Sequence, residues 1–335
     1  MFRKKVETSQ YGTIIVNGYA LNTIDESTLE NWAGDLTYVS YYTYGFNMNG
    51  TLIPINDEIL IASAYNNQVA PLMVITPLNN LGEYSYDLVH TVLNSPILKD
   101  FFIDNIVNTV IDKEYYGVVF NFGYILKEDR EDFVVLVSKT ARRLNRKRAL
   151  VLVSLLPKTT EEQPMLRGID YQSLALGANL IEILTYDLNQ YLNQPRAVAP
   201  YNLIRETLDF AITKVNPNNM LLGVLNYGYD WTLPFIEGES VAEIIPNVEA
   251  LERAKRVGAE VQLDELTQSP FYKYIDDQGL EHIVWFENEL SMRAKLELVN
   301  EYGLAGISIW TIMNPFPSGL KVLNELYTVF KIDLD

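Results

Sequence analysis

Several short β-rich runs of this chain end in residues suited to holding a polar ligand that has apolar faces. One ends Tyr41-Tyr42-Thr43-Tyr44-Gly45-Phe46, another Val119-Phe120-Asn121-Phe122-Gly123, another Leu184-Thr185-Tyr186-Asp187, and another Ser308-Ile309-Trp310. Aromatic faces stack on the apolar faces of sugar rings, and tyrosine hydroxyls reach ring substituents. The same side chains also serve as core and rim fillers, and type alone does not separate the two uses. Acid–base chemistry would need a carboxylate beside them, and the candidates are few. Glu182 lies four residues before Tyr186 and on the same strand face, about 13 Å deeper, which suits a buried structural role with a partner or a raised pKa. Glu128 and Asp129 stand where a helix begins, a place that favours capping carboxylates. Asp230 and Glu287 fall on either side of a long connection and read as rim polarity.

The elements that must position these residues alternate regularly. Strand-like runs fall at 13–19, 36–44, 70–76, 116–122, 149–155, 180–186, 220–227 and 306–310, mostly dense in Val, Ile, Leu and Tyr as buried parallel strands are. Amphipathic segments lie between them. In 129–144, Phe133, Leu136, Val137, Thr140 and Leu144 recur at helical spacing, with Arg142 and Arg143 at the negative end of the dipole. Segments 203–215 and 287–302 read as helices too, the second stopped by Gly303. Eight strands in βα alternation predict a closed (β/α)8 TIM barrel with its site at the C-terminal ends of the strands. An open doubly wound sheet is the alternative, and no glycine-rich dinucleotide fingerprint follows the first strand. Residues 229–286 exceed an ordinary loop and predict a small α+β insert after strand seven, with a helix at 248–257, strands at 260–263, 271–275 and 282–286, and a turn at 276–279. The whole of 1–335 is expected to be a single barrel carrying that insert.

Composition narrows the partners. The 335 residues carry 26 Lys and Arg against 43 Asp and Glu, a formal net charge of −17. That field repels phosphate backbones, so nucleic acid and anionic membranes are poor partners, whereas a glycan is not excluded. There is no cysteine and only His90 and His282, so neither disulfides, Cys-ligated metal nor a multi-histidine site is expected. No cofactor is expected either. The basic start, Met1 to Lys5, is followed by no apolar run, so no signal peptide is read and synthesis in the cytoplasm is expected.

The segment Tyr116-Gly117-Val118-Val119-Phe120-Asn121-Phe122-Gly123, followed by Lys127-Glu128-Asp129-Arg130-Glu131, resembles the strand-four motif of family 18 glycoside hydrolases. The similarity is to the bacterial spore-cortex-lytic and germination N-acetylglucosaminidases, whose version is similar to Asp-Gly-Val-Asn-Ile-Asp-Phe-Glu. The likeness extends over almost the whole chain, through Val16-Asn17-Gly18-Tyr19, 70–76, Thr185-Tyr186-Asp187, Ala197-Val198-Ala199-Pro200, 227–234, Gln268-Ser269-Pro270-Phe271 and Val284-Trp285-Phe286-Glu287. In such enzymes the resemblance implies substrate-assisted hydrolysis: the sugar's N-acetyl oxygen attacks the anomeric carbon while the motif's glutamate protonates the leaving oxygen. It also implies that Tyr186 meets the acetamido carbonyl, that Asp187 accompanies it, and that Trp310 floors the central subsite. Tyr44, Phe46, Tyr229 and Asn121 are further candidate substrate contacts.

All four polar positions of that motif differ here. Tyr116, Val119, Asn121 and Gly123 stand where the resembled family has acids and an amide, and Gly123 stands at the proton donor. Loss of a positioned general acid costs roughly 10²–10⁴ in rate. A side chain covering the space above Gly123 would be its neighbour Tyr124, or Tyr116. The resulting expectation is a catalytically inactive or severely impaired barrel, a pseudoenzyme, that binds N-acetylglucosamine-containing glycan of the peptidoglycan or chitin type in a spore setting. Two alternatives stay open: an active N-acetylglucosaminidase using a displaced carboxylate, and a structural spore-layer protein that meets protein partners and no sugar. The chain opens almost directly on its first strand, so the LysM-type repeats of the resembled enzymes are not expected ahead of it.

Overall fold

The computed structural model describes residues 9–186 and 194–334. Eight strands close a parallel barrel: β1 (Thr13–Leu21), β2 (Tyr38–Phe46), β3 (Ala70–Ile75), β4 (Gly117–Phe120), β5 (Leu150–Leu155), β6 (Leu180–Ile183), β7 (Met220–Leu225) and β8 (Gly306–Trp310). Each pairs with the next, and β8 and β2 both pair with β1, so no edge is left open. The all-apolar runs become strands buried on both faces: every residue of β3 and of β7 is buried.

The helical periodicities hold with small shifts. Helix Arg130–Asn145 buries Phe133, Leu136, Val137, Thr140, Ala141 and Leu144, the stripe the spacing predicts. Asp129 stands at its N-cap but makes no capping bond. It is fully buried and accepts from His90 and Asn94 of the preceding helical layer, so its expected capping role is replaced by an interhelical one. Helix Glu289–Tyr302 starts with a reciprocal Asn288–Ser291 capping box and ends at Gly303, which takes the left-handed conformation at φ 66°.

The long connection after β7 is a five-stranded antiparallel sheet crossed on one face by helix Asn247–Val257. Its strands are Tyr227–Thr232, Glu243–Pro246, Gln262–Asp264, Ser269–Ile275 and Glu281–Trp285. The three strands and the helix expected there are present. The first two were not anticipated, because β7 stops at Leu225 and Tyr227 already opens the new sheet. Asp230 and Glu287 do not polarise the rim: both are buried. Asp230 accepts from Arg253 at 2.6 Å, from Tyr274 at 2.7 Å, and pairs with His282, while Glu287 accepts from Lys295 at 2.6 Å.

Two buried polar clusters tie the barrel together. Outside it, Asp57 is fully buried and accepts from Tyr44 at 2.5 Å, Tyr115 at 2.6 Å and Lys113. Burial opposes its charge, but those three donors outweigh burial and hold the carboxyl below its usual range. Inside the barrel, Glu182 accepts from Tyr19 at 2.6 Å and Ser154 at 2.7 Å, and Ser40, Asn17 and Ser308 continue the chain of hydrogen bonds around the axis. Here burial wins: it pushes the Glu182 carboxyl up, and the hydroxyls of Tyr19, Ser154 and Ser308 offset it only in part.

These clusters give two expectations. Asp57→Ala strands Lys113 and two phenols and should cost about 3 kcal/mol in urea unfolding, while an unchanged midpoint would show the cluster to be dispensable. For Glu182 the folded pKa lies above the unfolded value of roughly 4.3, so the folded state holds the extra proton and Glu182's contribution to stability falls as pH rises through that window. Glu182→Gln should therefore gain on the wild type from pH 5 to pH 8, and parallel stability–pH curves would contradict this.

Candidate functional site

Strand ends at the C-terminal face of the barrel build the site, and alternation along each strand decides which side chains enter it. In and after β4, Phe120 and Phe122 point outward onto Phe133, with ring centroids 6.5 and 5.3 Å away. Val119 points inward and joins Tyr19, Val74, Leu152 and Leu221 in the barrel's interior. Asn121 follows on the inward side, half-buried, its backbone N–H bonded to the Ile75 carbonyl at 3.0 Å. Tyr116 is at the opposite, N-terminal end of the strand, against Tyr38 at 6.0 Å, and therefore cannot cover Gly123.

The side chain that does cover Gly123 is Tyr84, from the loop after β3. Gly123 has φ 64°, and a Cβ built on it would lie 3.3 Å from the Tyr84 hydroxyl and 3.8 Å from its ring. That hydroxyl donates to the Phe122 carbonyl and lies 3.3 Å from the Tyr124 carbonyl. The loop is held in turn: Asn79 Oδ1 accepts from Leu81 and Glu83 N–H, and Leu78 bridges to Tyr84. Tyr84 meets Tyr86 edge-on at 4.9 Å, and Tyr86 lies 6.1 Å from Tyr124. Burial pushes the Tyr84 phenol well above its ordinary pKa, and the neighbouring phenols of Tyr86, Tyr124 and Tyr42 add to the shift. Beyond these rings a groove of about 340 Å³ runs between Tyr86, Tyr124, Leu126, Pro164, Met165 and Arg167.

Trp310 ends β8 half-buried over the axis. Tyr19 supports it from beneath at 5.3 Å, and Tyr42 meets it edge-on at 5.1 Å. Burial raises the Tyr42 phenol too, against a hydrogen bond with Thr76. Non-proline cis peptides join Tyr42 to Thr43 and Trp310 to Thr311. Tyr186, half-buried, lies against β7, where a Cβ on Gly223 would meet the Ile183 carbonyl at 2.7 Å and the Tyr186 ring at 2.9 Å. Asp187 lies outside the described residues.

Two expected contacts are corrected. Tyr44 and Phe46 are 1% and 0% exposed and face the helices, Tyr44 bonding Asp57 and Phe46 packing tilted against Phe102 at 4.7 Å. The pairing of β2 with β3 shifts between Tyr41 and Tyr44, and the shift reverses the side-chain phase. Tyr42 is the tyrosine of this run that meets Trp310. Tyr229 is half-buried on the insert sheet, between Tyr227 at 5.7 Å and Trp231 at 6.1 Å. Tyr19, Tyr42 and Tyr84 were not singled out from the sequence. Period-two counting back from Trp310 does not reach them, since each comes from a different strand or loop.

Residues 30–314 match the family described as glycosyl hydrolases family 18. The chain is 34% identical over 310 residues to the putative sporulation-specific glycosylase YdhD of Bacillus subtilis, covering 92% of this chain and 73% of that one. It is 32% identical over 302 residues to the cortical fragment-lytic enzyme of Bacillus anthracis, covering 88% and 69%. Its fold superimposes on the crystal structure of the spore cortex-lytic enzyme SleL of Bacillus cereus with a TM-score of 0.90 at 29% identity, covering 97% of this chain and 76% of that one. A match over most of the barrel, together with relatives at this identity, places the chain in glycosyl hydrolase family 18.

Proposed function

We propose that this barrel binds glycan containing N-acetylglucosamine, of the peptidoglycan or chitin type, and turns it over very slowly or not at all. The observation that carries the reading is the pairing of an intact sugar-sized platform with an absent acid. Trp310 stands half-buried at its strand end, braced by Tyr19 and Tyr42, with Tyr186 and Asn121 at other strand ends of the same face. At residue 123, where the resembled motif carries its proton donor, there is only backbone beneath a phenol. An amide at 121 can bond an acetamido group, but it carries no charge to stabilise a developing cation. Among the described residues, Glu182 is fully buried and bonded to Tyr19 beneath Trp310, so it has no path to a bridging oxygen. A displaced-carboxylate mechanism thus finds no support at Glu182, and the relatives' names point to spore-wall glycan as the setting.

Binding and turnover separate the readings. Wild-type protein should bind chitooligosaccharide or solubilised spore peptidoglycan in calorimetry, and Trp310→Ala should weaken it by about two- to twelvefold, since loss of one aromatic stack removes on the order of 0.5–1.5 kcal/mol. Binding left intact by Trp310→Ala would favour a barrel that acts through other surfaces. A chromogenic N-acetylglucosaminide assayed at high protein concentration should release nothing above background, and turnover approaching that of the cortex-lytic relatives would defeat the proposal.

A further inference from the structure

The deletion of a carboxylate normally leaves a hole. Here the hole is filled from elsewhere in the chain, by a residue 39 positions upstream of Gly123. We infer that Tyr84 has taken over the seat of the missing acid, so that it excludes any side chain from residue 123 and presents to a bound glycan an oxygen that accepts a hydrogen bond but delivers no proton. The inference rests on the alignment of residue 123 with the family's proton donor and deepens the reading of the site given above.

Three observations carry it. First, Gly123 sits in the left-handed region at φ 64°, which other L-residues adopt only with strain. Second, the space a side chain would enter holds the Tyr84 hydroxyl, at 3.3 Å from the first added carbon. A longer side chain would have to expel the phenol from its bonds to the Phe122 and Tyr124 carbonyls. Third, the hydroxyl's single hydrogen is committed to the Phe122 carbonyl, which leaves only its lone pairs for a ligand. Tyr84 is 38% exposed, so the residue is not sealed inside the fold. The loop that carries it is braced by Asn79 and the Leu78–Tyr84 bridge, which fixes the phenol before any ligand arrives. A carboxylate at 123 would therefore have to accept the left-handed backbone and displace the Tyr84 phenol, which couples residues 84 and 123.

A double-mutant cycle tests the coupling without any glycan. Gly123→Glu should lower the thermal midpoint in the wild-type background by about 3 °C or more beyond its effect in a Tyr84→Ala background. Equal losses in the two backgrounds would overturn the shared seat. The ligand side is read by calorimetry with chitooligosaccharide. Tyr84→Phe keeps the ring and removes the acceptor, and should weaken binding about fivefold, the worth of one hydrogen bond, whereas unchanged affinity would overturn the contact. Because the cycle involves no sugar, its failure is distinct from a failure of Trp310→Ala to affect binding.

Discussion

In a closed parallel barrel a strand residue faces either the axis or the helices, and its neighbour faces the other way. That alternation is the constraint on which the rest of this structure depends. It turns Phe120 and Phe122 onto Phe133 and leaves Val119 and Asn121 to the interior. It sends Tyr19 and Glu182 inward, where they bond each other beneath Trp310. One irregularity, the shift in pairing between Tyr41 and Tyr44, reverses the phase of β2 and moves Tyr44 and Phe46 out of the site. The aromatic content of the mouth follows from this geometry more than from composition.

The interior polar chain shows how the barrel supports its floor. Glu182, Tyr19, Ser154, Asn17, Ser40 and Ser308 come from β6, β1, β5, β2 and β8, and their hydrogen bonds link strands that are not all adjacent. A carboxyl in such a place stays protonated more readily than one in water, because burial penalises its charge. Its hydroxyl partners lock the Tyr19 ring, and that ring supports Trp310. Outside the barrel, Asp57 settles the opposite way, with three donors holding it charged. The two acids differ in their donors, a lysine and two phenols at Asp57 against hydroxyls alone at Glu182, and Glu182 also lies deeper.

Residue 123 links a backbone conformation to a contact across the mouth. A glycine there permits a left-handed backbone, and that backbone brings the Phe122 and Tyr124 carbonyls to a single phenol. At Gly223 the constraint is mainly backbone: a Cβ there would meet the Ile183 carbonyl at 2.7 Å before the Tyr186 ring at 2.9 Å.

Much of this was legible in the amino-acid order. Runs of apolar residues at 70–75 and 220–225, the stripe from Phe133 to Leu144, and Gly303 after a helical segment are local signals, because strand burial, helical periodicity and a left-handed cap each act within a few residues. The family resemblance, too, came from short motifs spread along the chain, and it made Trp310, Tyr186 and Gly123 the expected site positions. Only the tertiary structure decided that Tyr42 and not Tyr44 meets Trp310, that Asp129, Asp230 and Glu287 are buried with partners, and that Tyr84 covers Gly123. Those facts depend on a register shift between paired strands and on contacts across tens of residues. No local spacing encodes such contacts, since they exist only once the barrel has closed.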